Sequence, residues 1–289
     1  MHMSSGILFS KIVIIQSLKT DDVPTGDILR EHLASLNHEY QRNIPIEVID
    51  CSSAVEFSKI VDRLIYDAEN DSYPLLHVEC HGCPQDGLEF SDGSDLGWEQ
   101  VSEKMTELNR AAELNLVIIF SACFGDYFSY TMGITKAAPC WCVIGPNEKI
   151  FPDEILLGLR EFYSNFFIDL DIGKAVKGLE ECKLSEGKWV YRMIEELFFE
   201  ICQMYLTNCC TLQAGTARID DMVKKGKIPQ VPEIAKTVLR QMNNSQINEY
   251  FNRYFMVTKY EAHRDRFGDS LASVQRLIKD LRASGDYYL

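Results

Sequence analysis

Apolar residues in the first part of the chain recur in two alternating periods. Ile7 to Gln16 is an apolar run rich in β-branched residues, and Ile44 to Asp50 alternates with period two, as a half-buried strand does. Between them, Gly26 to Tyr40 sets Ile28, Leu29, Leu33 and Leu36 at helical spacing. Ala54 to Ala68 repeats the pattern with Val55, Ile60, Val61 and Leu64. The next apolar run, Pro74 to Cys80, reads as a third strand. This β-α-β-α-β order predicts a mostly parallel sheet with right-handed crossovers.

Asp92-Gly93, inside the short apolar-polar pieces of Gly87 to Leu96, predicts a small β-hairpin. Gly97 to Leu114 then reads as a helix with Trp98, Val101, Met105 and Leu108 on one face. Strands are expected at Leu116–Ala122 and Cys140–Gly145, and a helix at Pro152–Phe167. Beyond these, Lys188 to Cys210 reads as one apolar helix whose stripe of Trp189, Phe198, Phe199 and Tyr205 is expected to face a core. Further helices are expected near Thr216–Lys225, Pro232–Met242, Gln246–Tyr260 and Ser270–Ala283, broken at Gly226, Pro229, Asn243-Asn244 and Gly268. No repeat or low-complexity segment interrupts them. The expected division is a sheet-bearing domain over residues 4–184 and an α-helical extension over 185–289; Met1-His2-Met3 reads as an added leader and is set aside.

Composition narrows the class. With 289 residues and 46% hydrophobic content, the chain can build a sizeable core. No apolar run approaches the ~18 residues of a membrane helix, and the N-terminus lacks a secretory pattern. Ten cysteines, mostly in apolar segments, suit reduced thiols rather than a disulfide scaffold. A cytoplasmic protein without a membrane partner is therefore expected. A net charge of −14 disfavours direct nucleic-acid binding, and Lys224-Lys225-Gly226-Lys227 is too short to reverse that. The charge is uneven: residues 1–182 carry 13 Lys/Arg against 30 Asp/Glu, and residues 183–289 carry 16 against 13. Two units with different surfaces are implied.

The candidate chemistry lies at two strand ends. His81-Gly82 closes the run from Pro74, and Cys123 closes the run from Leu116. If the two strands are neighbours in a parallel sheet, an imidazole and a thiol emerge together at its carboxyl edge, where open α/β sheets place ligands. Cys123 is then the candidate nucleophile and His81 its general acid/base. The backbone N–H groups of Gly82 and Cys123 are the candidate oxyanion donors, and Gly82 lets a substrate backbone approach closely. Asp126 and Asp153 are candidates for contacting a basic substrate side chain, although in so acidic a half most carboxylates are simply solvated. Two plainer readings stand beside these. Cysteine is among the most buried residue types, so Cys123 taken alone reads more readily as a small core residue than as a nucleophile. Cys80-His81-Gly82-Cys83 with Cys140-Trp141-Cys142 could supply zinc ligands, but the spacing of paired knuckles is missing, and neither a metal nor another cofactor is expected. His77, His32, His38 and His263 read as core or surface histidines.

The His81-Gly82 strand end, the hairpin with Trp98 after it, the Ser-Ala-Cys strand end at Cys123, and Phe162-Tyr163 followed by Ile172-Gly173-Lys174-Ala175-Val176 together resemble the caspase-like CHAT domain, over residues 7–184. The resemblance implies a three-layer caspase-like sandwich with an α-helical C-terminal extension. It also implies a cysteine peptidase of the caspase, separase and gingipain group with a His81/Cys123 dyad. Bacterial members often act in defence against phage by cleaving a dedicated protein, so a protein substrate and a regulatory partner are expected. The alternative is a catalytically silent caspase-like module that binds a partner.

Overall fold

The computed structural model describes residues 2–4, 6–227 and 231–289, so the break expected at Pro229 lies outside the described residues. The chain divides into two compact units. The first spans residues 1–132 and 139–193 and holds the sheets; the second spans 133–138 and 194–289 and is helical.

The sheet unit opens with β1 (His2–Ser4) paired antiparallel to β2 (Ile7–Phe9). The apolar run from Ile7 thus breaks at Ser10, and the core strand β3 is Lys11–Gln16. There follow α1 (Thr25–Glu39), β4 (Ile46–Asp50), α2 (Ala54–Glu69) and β5 (Pro74–Glu79). β6 (His81–Cys83), β7 (Gly87–Glu89) and β8 (Asp95–Leu96) form a separate three-stranded antiparallel sheet that includes the expected hairpin. α3 (Trp98–Ala111), β9 (Val117–Ser121), a 3₁₀ helix (Gly125–Thr131), β10 (Cys142–Pro146), α4 (Pro152–Asp169) and α5 (Ile172–Glu181) complete the alternation. One element departs from expectation. Lys188 to Cys210 is not a single helix: β11 (Trp189–Met193) pairs antiparallel with β10, and α6 (Ile194–Cys209) begins after it. Trp-Val-Tyr is as good a strand as a helix start, and an available sheet edge decides between them. The sheet unit therefore runs to Met193, whereas the sequence division falls at 184.

The principal sheet has six strands in the order β11-β10-β9-β5-β3-β4, parallel except for β11. β3 passes through α1 outward to β4, and α2 then returns the chain to β5 on the other side of β3. Opposite directions of right-handed crossover put the two helices on opposite faces. The packing agrees. On one face Tyr163 of α4 and Thr25 of α1 reach His77 and Glu79, while on the other Trp98 of α3 stacks edge-on against Phe120 at 5.6 Å. β5 and β9 are buried along their whole length, as strands covered on both faces must be. The outer strand β4 is only half-buried, and its Glu47 is held by Lys11 (3.5 Å) and Arg63 (2.7 Å). Val55, expected on the apolar face of α2, is exposed; the buried face carries Phe57, Ile60, Val61 and Leu64 instead.

The second unit contains α6, α7 (Leu212–Lys224), α8 (Pro232–Tyr254), α9 (His263–Arg266) and α10 (Gly268–Ser284). α8 continues through Asn243-Asn244, where a break was expected. Asn243 is buried and bonded to three partners, so its preference for turns is overridden by tertiary bonds. Phe198, Phe251, Tyr254, Phe255 and Phe267 form an aromatic core, so Phe198 of the expected stripe does face inward. Among the described residues no helix is long and apolar enough to cross a membrane.

Candidate active site

The sheet order reverses between β3 and β5, and at such a point the connections diverge to leave a crevice at the carboxyl ends of the strands. His81 and Cys123 stand at this edge. β5 pairs with β9 in register Glu79 with Ser121, and each candidate lies two residues beyond its member of that pair. Neighbouring strands are about 4.8 Å apart. The two backbones touch: a Cβ on Gly82 would collide with the carbonyl oxygen of Cys123 and press on Ala122. Glycine is required there because the imidazole-bearing and thiol-bearing segments pack main chain to main chain.

The loop after Cys123 is pinned from both sides. Phe124 adopts the left-handed region at φ 60°, its N–H donates to the Glu148 carbonyl, and Gly125 N–H donates to the Ala122 carbonyl. The Cys123 S–H points at the Ile150 carbonyl at 3.8 Å, and the thiol is half-exposed. The Cys123 backbone N–H has no hydrogen-bond partner among the described residues, which leaves it available as an oxyanion donor. Other thiols are set apart by burial, which raises the pKa of Cys51 to about 11 and of Cys202 to about 12, and lifts Cys80 and Cys140 well above the ordinary value. Cys80 and Cys140 are wholly buried, and among the described residues no group of three or more His, Cys, Asp or Glu side chains converges as a metal site.

His81 is oriented by a residue that the sequence did not single out. Its Nε2 lies 3.0 Å from Asp22 Oδ2, in the loop between β3 and α1. The imidazole is 44% exposed and the carboxylate 27%. Burial pushes the Asp22 carboxyl up, but the Lys19 N–H, the His81 hydrogen bond and the charges of His81 and Lys19 outweigh it and hold the group below its ordinary value. Asp22 therefore stays ionised and fixes one ring nitrogen, while Nδ1 has no partner among the described residues. His81 and Cys123 make no hydrogen bond to each other. Asp22 also lines a pocket of ≈ 360 Å³ with Leu18, Lys19, Pro24, Asp50 and Cys51 among its other walls; His81 and Cys123 do not line it.

The two acidic candidates fall differently. Asp126 is 3% exposed, accepts from Ser129 Oγ at 3.1 Å and lies 3.8 Å from Arg192, so its carboxylate serves the interior rather than a ligand. Asp153 is exposed in the first turn of α4, three residues beyond the Ile150 that receives the Cys123 thiol.

His77 is a core histidine, as one of its two expected readings had it, but one with polar partners. It and Glu79 are 0% and 1% exposed, four and two positions before His81. His77 Nε2 lies 2.7 Å from Ser121 Oγ and 3.0 Å from Glu79 Oε1; Nδ1 lies 3.5 Å from the Tyr163 hydroxyl. Thr25 Oγ1 donates to Glu79 Oε2 at 2.6 Å. Glu79 Oε1 sits off the N–H direction and has no hydrogen-bond donor among the described residues. In sequence the hint was slight: two ionisable groups inside an otherwise apolar strand.

No protein-family model matches the chain, and no curated protein matches it either.

Proposed function

We propose that this chain is a cysteine endopeptidase of caspase-like fold that cuts a specific protein, with Cys123 as nucleophile and His81 as general acid/base. One observation carries the reading. A half-exposed thiol and a carboxylate-oriented imidazole close adjacent parallel strands at the reversal point of the sheet, with Gly82 packed on the Cys123 carbonyl.

The chemistry follows from the groups present. His81 takes the Cys123 thiol proton, the sulfur attacks the scissile carbonyl carbon, a C–S bond forms, and the carbonyl π pair moves to oxygen, where the free Cys123 N–H and that of Gly82 are the donors. The intermediate collapses by breaking the C–N bond as imidazolium delivers its proton to the leaving amine. Water, deprotonated by His81, then attacks the thioester and the thiol is regenerated. Asp22 positions the ring through the 3.0 Å contact to Nε2. The pocket that Asp22 lines supplies room and the Asp50 carboxylate for a substrate side chain, a role that Asp126 is too buried to fill.

The thiol hydrogen bond to Ile150 means that Cys123 must turn toward His81 for catalysis. This contact favours a resting enzyme that a partner activates, or the silent module. Mass-spectrometric mapping of new protein N-termini after incubation with a proteome separates them. Discrete cuts that vanish with both Cys123→Ala and His81→Ala are expected; cuts persisting in either variant overturn the dyad, and no cut with any added partner supports the silent module.

A further inference from the structure

The buried pair beneath the dyad has two arms. One arm is the 2.7 Å contact from His77 to Ser121, two residues before Cys123 on β9. The other is the 2.6 Å bond from Thr25 to Glu79, and Thr25 opens the helix three residues after Asp22, the partner of His81. A single hub of fully buried ionisable groups is therefore fastened to the nucleophile strand, to the imidazole strand through its own backbone, and to the loop that orients the imidazole.

Such a hub is expensive. Burial of an ionisable pair costs several kcal/mol per ion before its partners offset it, and an apolar pair of similar volume is often as stable. The covering layers here are apolar enough to accept one: Phe162, Tyr163, Phe166 and Phe167 of α4 are all buried. What apolar packing cannot supply is directional bonding between β5, β9 and the β3–α1 loop. We propose that His77 and Glu79, acting through Ser121 and Thr25, are positioning residues that set the relative placement of Cys123, His81 and Asp22. The inference rests on the dyad reading. It assigns the hub a part in the reactivity of the thiol, not merely in stability.

The test needs no substrate. The second-order rate of Cys123 alkylation by iodoacetamide is followed across pH, with the labelled peptide resolved from those of the other cysteines by mass spectrometry. Substituting His77 or Glu79 leaves its buried partner unpaired and destabilises the fold, so the arms are cut instead. Thr25→Val keeps shape and removes the hydroxyl, Thr25→Ser restores it, and Ser121→Ala cuts the other arm. In the wild type the profile should depend on His81, vanishing to that of a simple thiol in His81→Ala. Thr25→Val and Ser121→Ala should each lower the rate near neutral pH by roughly tenfold, the effect of about 1.4 kcal/mol, and shift the profile. Thr25→Ser should return to within about twofold of the wild type. Profiles that superimpose on the wild type, even with a lowered melting temperature, overturn the proposal. A wild-type profile unchanged by His81→Ala overturns the dyad reading instead, so the two failures are distinct.

Discussion

Each unit of the molecule has a buried polar hub, and the two are built to opposite specifications. In the helical unit Asn243 is wholly buried. Its amide donates to the Tyr288 carbonyl at 2.7 Å, and its oxygen accepts from Tyr205 at 3.2 Å and Arg218 at 3.0 Å. The hub is an uncharged group that gathers α6, α7, α8 and the last residues of the chain. In the sheet unit the hub is a carboxylate and an imidazole, and Glu79 Oε1 is left without a donor among the described residues. A neutral hub with its bonds in place fastens; an ionisable one with an oxygen to spare, set beneath a half-exposed thiol, is the kind proposed above to tune chemistry.

The comparison can be broken most forcefully in the helical unit. Asn243→Ala strands buried donors and acceptors from three partners and should cost about 2–4 kcal/mol of stability. Denaturant melts would register this, while the alkylation rate of Cys123 below the transition should stay at the wild-type value; a coupled fall would show that the two hubs do not differ in kind. A smaller effect is expected in the sheet unit. Asp22→Asn removes a charge-assisted hydrogen bond from His81 and should reduce Cys123 reactivity roughly tenfold, with melting little changed because the pair is partly exposed.

Thiol chemistry provides a finer contrast. At pH 8 a limiting dose of iodoacetamide should label Cys123, Cys83 and Cys209 ahead of Cys51, Cys80, Cys140 and Cys202, which burial both shields and holds protonated. The smallest effect concerns pH. Because the Asp22 carboxyl is held below its unfolded value of about 3.9, the stability it contributes is complete above that pH and is lost as pH falls through the lower folded value. Wild type and Asp22→Asn should therefore differ at pH 6 and converge in acid unfolding near pH 2.

The alternation that fixes the parallel sheet was legible because each strand and helix of that region keeps its own period, and because Gly82 and the two strand ends are local signals. β11 was not legible: Trp189 to Met193 carries no exclusive strand pattern, and only a free sheet edge makes it one. The straight course of α8 through Asn243-Asn244 was hidden for a similar reason, since local propensity cannot anticipate bonds to Tyr205, Arg218 and Tyr288. Asp22 escaped notice because a loop aspartate in an acidic chain has no distinguishing neighbour in sequence; its partner lies fifty-nine positions away. The hub was half visible, in that His77 and Glu79 share a strand face, but Ser121, Thr25 and Tyr163 arrive from three other elements.

The outer strand β4 has a consequence for how the protein behaves in company. Its edge is half-covered and offers an unpaired row of main-chain groups to any extended segment that drifts past. Glu47 is the second residue of that row, already claimed by Lys11 and Arg63. A second chain pairing along this edge would run beside a charged, already paired side chain, the kind of residue that makes an edge strand a poor template for sheet extension.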